Sequence, residues 1–132
     1  MIQHTVAKYF DANYVLKLGV EFAGFVDKRG RVIDYACKNE INLSIEQKEM
    51  FFMMNVLNIS MQGEYDSNLG AVKYTVTERE NSKIICIPIL NGIIVLATDR
   101  AADHHQIVKR TLESIGNVEN LDGDTLMPGI VT

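Results

Sequence analysis

Residues 84–98, IICIPILNGIIVLAT, decide the fold. The run carries no charge, but Pro88 and the pair Asn91-Gly92 interrupt it, and it falls short of the roughly 20 residues a spanning helix needs. Asn-Gly between apolar, β-branched runs is a strong hairpin signal. The stretch therefore predicts two strands meeting at Asn91-Gly92, the most buried of their sheet. Pro88 has no N–H to give a ladder, which predicts a bulge there.

Upstream, residues 72–77 alternate Val72, Tyr74 and Val76 with Lys73, Thr75 and Thr77, the period of a half-exposed strand, expected at a sheet edge. Ser44 followed by Gln47 has capping-box spacing and predicts a helix running to about Gln62. Its middle, Met50-Phe51-Phe52-Met53-Met54-Asn55-Val56-Leu57, is apolar around most of its circumference, more than a helix lying on one side of a sheet requires. Its outer face needs a cover. Residues 22–26 and 32–37 are β-rich runs flanking Asp27-Lys28-Arg29-Gly30, a hairpin in which Gly30 supplies positive φ. Nearer the start, Ile2, Val6, Tyr9, Phe10, Asn13 and Leu16 recur at helical spacing, so residues 2–18 predict a helix stopped by Gly19.

Downstream, Asp103 and Gln106 repeat the capping spacing, and Ile107, Val108, Thr111, Leu112 and Ile115 form an apolar stripe on a last helix, expected to end at Gly116. Residues 117–132 are acidic and finish in Met127-Pro128-Gly129-Ile130-Val131. The expected order is α-β-β-α-β-β-β-α, an α/β (α+β) fold with a five-stranded antiparallel sheet and helices on its faces. Residues 1–116 form the domain and 117–132 an acidic C-terminal tail.

At 132 residues with 47% hydrophobic content, the chain can bury one core. Seventeen acidic against thirteen basic residues leave a net charge of −4, which offers no broad positive field to a phosphate backbone, so no nucleic-acid partner is expected. The start of the chain shows no basic region followed by an apolar one, so neither a signal peptide nor a membrane span is expected. Cys37 and Cys86 both lie in strand-like apolar runs, as buried free thiols do, which points to the reducing cytoplasm.

With the order of elements in hand, the chain resembles the roadblock/light-chain-7 family of the profilin-like fold. The hairpin Phe22-Ala23-Gly24-Phe25-Val26-Asp27-Lys28-Arg29-Gly30-Arg31-Val32-Ile33 is similar to the family's first hairpin. Residues 85–99, with their Asn91-Gly92 turn followed by a helix, are the second carrier. The resemblance implies a non-enzymatic module that forms homodimers or heterodimers and serves as a platform or regulator for a small GTPase, a motor subunit or a scaffold protein. It brings no catalytic residues, cofactor or metal.

The residues themselves agree in carrying no catalytic signature: no nucleophile elbow, phosphate loop or HExxH occurs. His104 and His105, with Asp99 and Asp103 nearby, are the one cluster suggesting a metal, but adjacent helical side chains point about 100° apart and Asp103 is committed as a cap, so a solvated helix start is expected. Lys28, Arg29 and Arg31 make the first hairpin tip basic, while Glu64, Asp66, Glu78 and Glu80 make another region acidic, a contrast that can steer a partner. The expected interface comprises Met50, Phe51, Met54 and Leu57 on the apolar helix with Val72, Tyr74 and Val76 on the edge strand, because thioethers suit surfaces that repack and an edge offers free backbone groups. The competing expectation is a small-molecule sensor of PAS or GAF type whose pocket is lined by Tyr35, Tyr74, Met53 and Cys86.

Overall fold

The computed structural model describes residues 10–121, with side chains through Gly116. Residues 2–9 of the helix expected over 2–18, and the tail beyond 121, lie outside the described residues; in the described part that expectation is corrected, because Asp11 is extended at φ −107° and ψ 97° and starts a separate helix as its N-cap. A short helix α1 (Ala12–Leu16), capped by the Asp11 carboxylate on the Tyr14 N–H, is followed by Gly19 at φ 100°. The hairpin β1 (Phe22–Asp27) and β2 (Val32–Cys37) comes next, and then α2 (Ile45–Gln62). A 3-10 turn (Gly63–Tyr65) and α3 (Asp66–Leu69) fill the polar connection. The strands β3 (Thr75–Glu78), β4 (Lys83–Ile89) and β5 (Gly92–Thr98) precede the last helix, α4 (His104–Leu121).

The five strands form one sheet in the order β2-β1-β5-β4-β3, antiparallel throughout. Side chains alternate across it. Ala23, Phe25, Ile85, Ile87, Ile94 and Leu96 face α1 and α4, meeting Val15, Ile107, Val108 and Ile115. Phe22, Val26, Ile84, Cys86, Ile93 and Val95 face α2, meeting Phe52 and Val56. As expected, β4 and β5 lie well inside the sheet, and β3 is an edge.

Four further local expectations are corrected. No bulge occurs at Pro88: the pairing of β4 with β5 runs unshifted through Pro88–Ile93. The two-residue loop is Leu90-Asn91, closed by the pair Ile89–Gly92, and the alternation of the ladder turns the residue 88 nitrogen away from β5. On that side β3 has already stopped, opposite Cys86, so no partner lacks a donor. The bulge lies instead in the first hairpin, where Phe25 pairs with Asp34 and Val26 with Val32, leaving Ile33 extra.

The second hairpin also turns one residue earlier than Asn91-Gly92 suggests. Asn91 takes the positive φ, 70°, which asparagine tolerates better than most residues. Gly92 already belongs to β5, and its missing side chain serves a close approach to β1, since a Cβ there would collide with the Val26 carbonyl oxygen. The edge strand begins at Thr75, not at Val72. Finally, α4 does not stop at Gly116 but runs through it to Leu121. A mid-helix glycine costs only about 1 kcal/mol, too little to stop the helix.

Ser44 and Gln47 form the full capping box: the Gln47 N–H donates to Ser44 Oγ at 3.1 Å and the Ser44 N–H to Gln47 Oε1 at 3.0 Å. At the tip of the first hairpin the buried Asp27 carboxylate accepts the backbone N–H groups of Arg29 and Arg31 at 2.9 and 3.0 Å. Gly30, at φ 84°, closes that turn against Met53 of α2, where a Cβ would lie 3.0 Å from the Met53 Cα.

Candidate functional site: an apolar helix face beside an open sheet edge

One side of α2 meets the sheet through Phe52, Asn55 and Val56, all buried. Asn55 uses both ends of its amide, an N–H donating to the Phe51 carbonyl at 2.8 Å and the oxygen accepting from the Cys86 thiol at 3.4 Å. Four residues on from one another, or three, come Met50, Met54, Leu57 and Met61 on the opposite side. They are 75%, 52%, 51% and 70% exposed. A stripe of this length on a helix surface is not covered by any described part of the chain, and contiguous exposed apolar surface of this kind marks interaction sites.

The stripe adjoins β3. Met50, Met53, Met54, Leu57, Met61 and Thr77 share a groove of about 700 Å³ between the helix and the edge strand. Among the described residues β3 has β4 on one side only, and it turns the N–H and C=O groups of its other side outward, where another strand can pair with them. Apolar stripe and open ladder thus lie next to each other.

Of the seven sequence-derived interface residues, Met50, Met54 and Leu57 sit on the exposed stripe. Phe51 is half-buried, packed edge-on against Phe52 with ring centroids 5.4 Å apart. Tyr74 and Val76 pack from the edge onto the core on the α4 side, and Val72 precedes the strand, so what β3 offers is backbone. Sequence reasoning missed Met61, although 50, 54, 57 and 61 have the spacing of one helical face. The expected sensor pocket does not form: Tyr35 and Met53 line a groove by the first hairpin, Tyr74 packs against the opposite core, and Cys86 is buried beneath Asn55.

No cluster suited to a metal occurs among the described residues. His104 instead meets Lys83, whose buried ammonium lies 3.2 Å from His104 Nδ1 and donates to the Ala102 carbonyl at 2.9 Å. The two cysteines are free and sit on strands that are not neighbours. Burial pushes the Cys86 thiol up to about 11, the Thr75 side chain offsetting part of the shift. Cys37 is only half-buried; burial and then the Glu40 charge raise its pKa, against a smaller opposing effect of Lys48. Iodoacetamide at pH 8 is therefore expected to alkylate Cys37 in the folded protein and Cys86 only on unfolding; equal rates would contradict this packing. The Cys86 thiol keeps its proton in the folded state above the pH at which it ionises in the unfolded chain. Its contribution to stability is thus complete below about pH 8.5 and is lost as pH rises toward 11.

A protein-family model matches residues 7–124, described as a family of unknown function, DUF6659. The chain belongs to that family. No curated protein matches it. Among solved structures, the DUF6659 chain is similar to a roadblock/LC7 domain from Streptomyces avermitilis, with 12% identity, 84% of this chain and 97% of that one covered, and a TM-score of 0.63. A structure described as MglB with tetrameric arrangement gives 10% identity, 89% and 87% coverage and a TM-score of 0.68. Profilin from Schizosaccharomyces pombe gives 12% identity, 85% and 98% coverage and a TM-score of 0.55. At such identities the likeness is one of fold: this DUF6659 domain has the roadblock and profilin-like architecture. Among the described residues, no helix is long and apolar enough to cross a membrane.

Proposed function

We propose that this protein is a non-enzymatic homodimeric interaction module that acts as a platform or regulator for a small GTPase or a scaffold protein in the cytoplasm. The observation that carries this reading is the exposed stripe Met50, Met54, Leu57 and Met61 beside the open edge of β3. A two-fold pairing satisfies both features at once: β3 meets its mate and extends the sheet across two chains, while each α2 lays its stripe against the other. The roadblock-like fold supports the platform role, the tetrameric arrangement of an MglB structure supports self-association in this architecture, and the two free thiols support a reducing compartment.

Hydrogen exchange tests the pairing at the strand itself. At protein concentrations of hundreds of micromolar the backbone amides of Thr75–Glu78 that point away from β4 are expected to be protected, and to lose that protection on dilution to the nanomolar range. Fast exchange of those amides at every concentration would remove β3 from the interface.

A further inference from the structure

A second groove lies on the flank of α2 toward the first hairpin and shares Glu49 and Met53 with the first. It too encloses about 700 Å³. Its wall is a stack of three aromatic rings, Tyr35 on Phe22 and Phe22 on Phe52, each pair with centroids 5.8 Å apart. Tyr35 is more than half exposed. At its mouth stand Arg29 and Arg31, brought to the same side because the Asp27 carboxylate holds both backbone N–H groups and so fixes the tip. Neither guanidinium has an acidic partner among the described residues, whose ion pairs are Lys48–Glu40 and Arg100–Glu78. The lining also includes Glu40, paired with Lys48, and Glu49, which leaves a surplus of one positive charge, and an aromatic trough with that surplus at Arg29 and Arg31 fits a peptide that is acidic first and apolar afterwards.

The chain carries such a segment. After Leu121 come Asp122 and Asp124, then Leu126, Met127, Ile130 and Val131. It also starts from the right end of the molecule. Helix α4 begins beside Lys83, at the end of the sheet where Lys83 pairs with Thr98. Its buried side, from Ile107 to Ile115, then crosses the core that includes Ile89. Eighteen residues of helix cover about 27 Å, against roughly 23 Å for the seven residues of β5. The helix thus delivers the chain toward the end where Asp27 pairs with Gly92, next to the basic tip. Eleven further residues reach up to about 36 Å, enough to pass the tip and enter the groove on the other face.

We propose that residues 122–132 dock in this groove within the same chain, Asp122 and Asp124 against Arg29 and Arg31 and the following apolar side chains on the Tyr35 ring. The test is solution NMR of the full chain. Expected are cross-peaks from methyl groups of Leu126, Met127, Ile130 or Val131 to ring protons of Tyr35 or Phe22, with tail order parameters near about 0.85. Arg29→Glu with Arg31→Glu should remove the cross-peaks and drop the order parameters below about 0.6. Sheet amide shifts should stay unchanged, because Asp27 bonds backbone and not side chains. Adding Asp122→Lys and Asp124→Lys to that variant should restore the contact by charge exchange. A tail with order parameters below about 0.6 in the natural sequence, contacts to a different surface, cross-peaks only between differently labelled chains, or failure of the charge exchange would each overturn the proposal.

Discussion

Met54→Glu, alone or with Leu57→Glu, is expected to convert the proposed dimer to a monomer without unfolding it. Both side chains are about half exposed in the isolated chain, so a carboxylate at either position remains solvated and the helix, held by its capping box and by Phe52, Asn55 and Val56, keeps its seat. In a two-fold interface every substitution appears twice and near the axis faces its own copy. Each carboxylate would then lose water and meet like charge, a penalty on the order of 3 kcal/mol, or a hundredfold or more in Kd. Sedimentation velocity checks the association and thermal unfolding checks the fold. Phe51→Glu is a poor probe of the same surface, because Phe51 packs against Phe52 and its loss would confuse folding with association. Dimers of unchanged affinity from both Met54→Glu and Leu57→Glu would remove the stripe from the interface.

Gly92→Ala is expected to have the largest effect on stability. The added methyl would collide with the Val26 carbonyl oxygen and lie 3.1 Å from the Asp27 Cα, both backbone atoms of β1 that cannot rotate away, as well as 3.0 Å from Phe25 Cε1. Relief requires β1 and β5 to part where Gly92 pairs with Asp27 on one side and Ile89 on the other. The loss should exceed about 3 kcal/mol, a large share of the roughly 5–15 kcal/mol that holds a domain together. Gly70→Ala isolates the backbone effect: nothing lies within 4 Å of its Cβ position, and only a backbone at φ 86° and ψ 159°, a region open almost solely to glycine, opposes the change, so about 1–3 kcal/mol is expected. Urea unfolding measures both. A Gly92→Ala protein within 1 kcal/mol of the natural one would mean that this approach of the two strands is not held.

Those contacts show which features are written locally in the sequence. The hairpin over Asp27 and Gly30, the capping box at Ser44 and Gln47, and the alternation at the edge strand were legible because each rests on residues three or four apart or on a period of two. The apolar circumference of α2 likewise announced a face without a cover. What misled was meaning set by distant partners. Pro88 signals a bulge only if a strand lies against its nitrogen side, and β3 ends before reaching it. Gly92 read as a turn residue, whereas its smallness serves β1, more than 60 positions away. Gly116 read as a stop, but one mid-helix glycine costs only about 1 kcal/mol and the helix runs through it. Tyr74 and Val76 alternate as interface residues would, and only the assembled sheet shows that they turn toward the α4 core.

The central claim is that the α2 stripe and β3 edge are covered by a second copy of the chain. Multi-angle light scattering across a dilution series tests it most directly. The account predicts twice the 14.8 kDa chain mass at micromolar concentration, falling toward the single-chain mass only on strong dilution. A mass of one chain at every concentration up to hundreds of micromolar would contradict it.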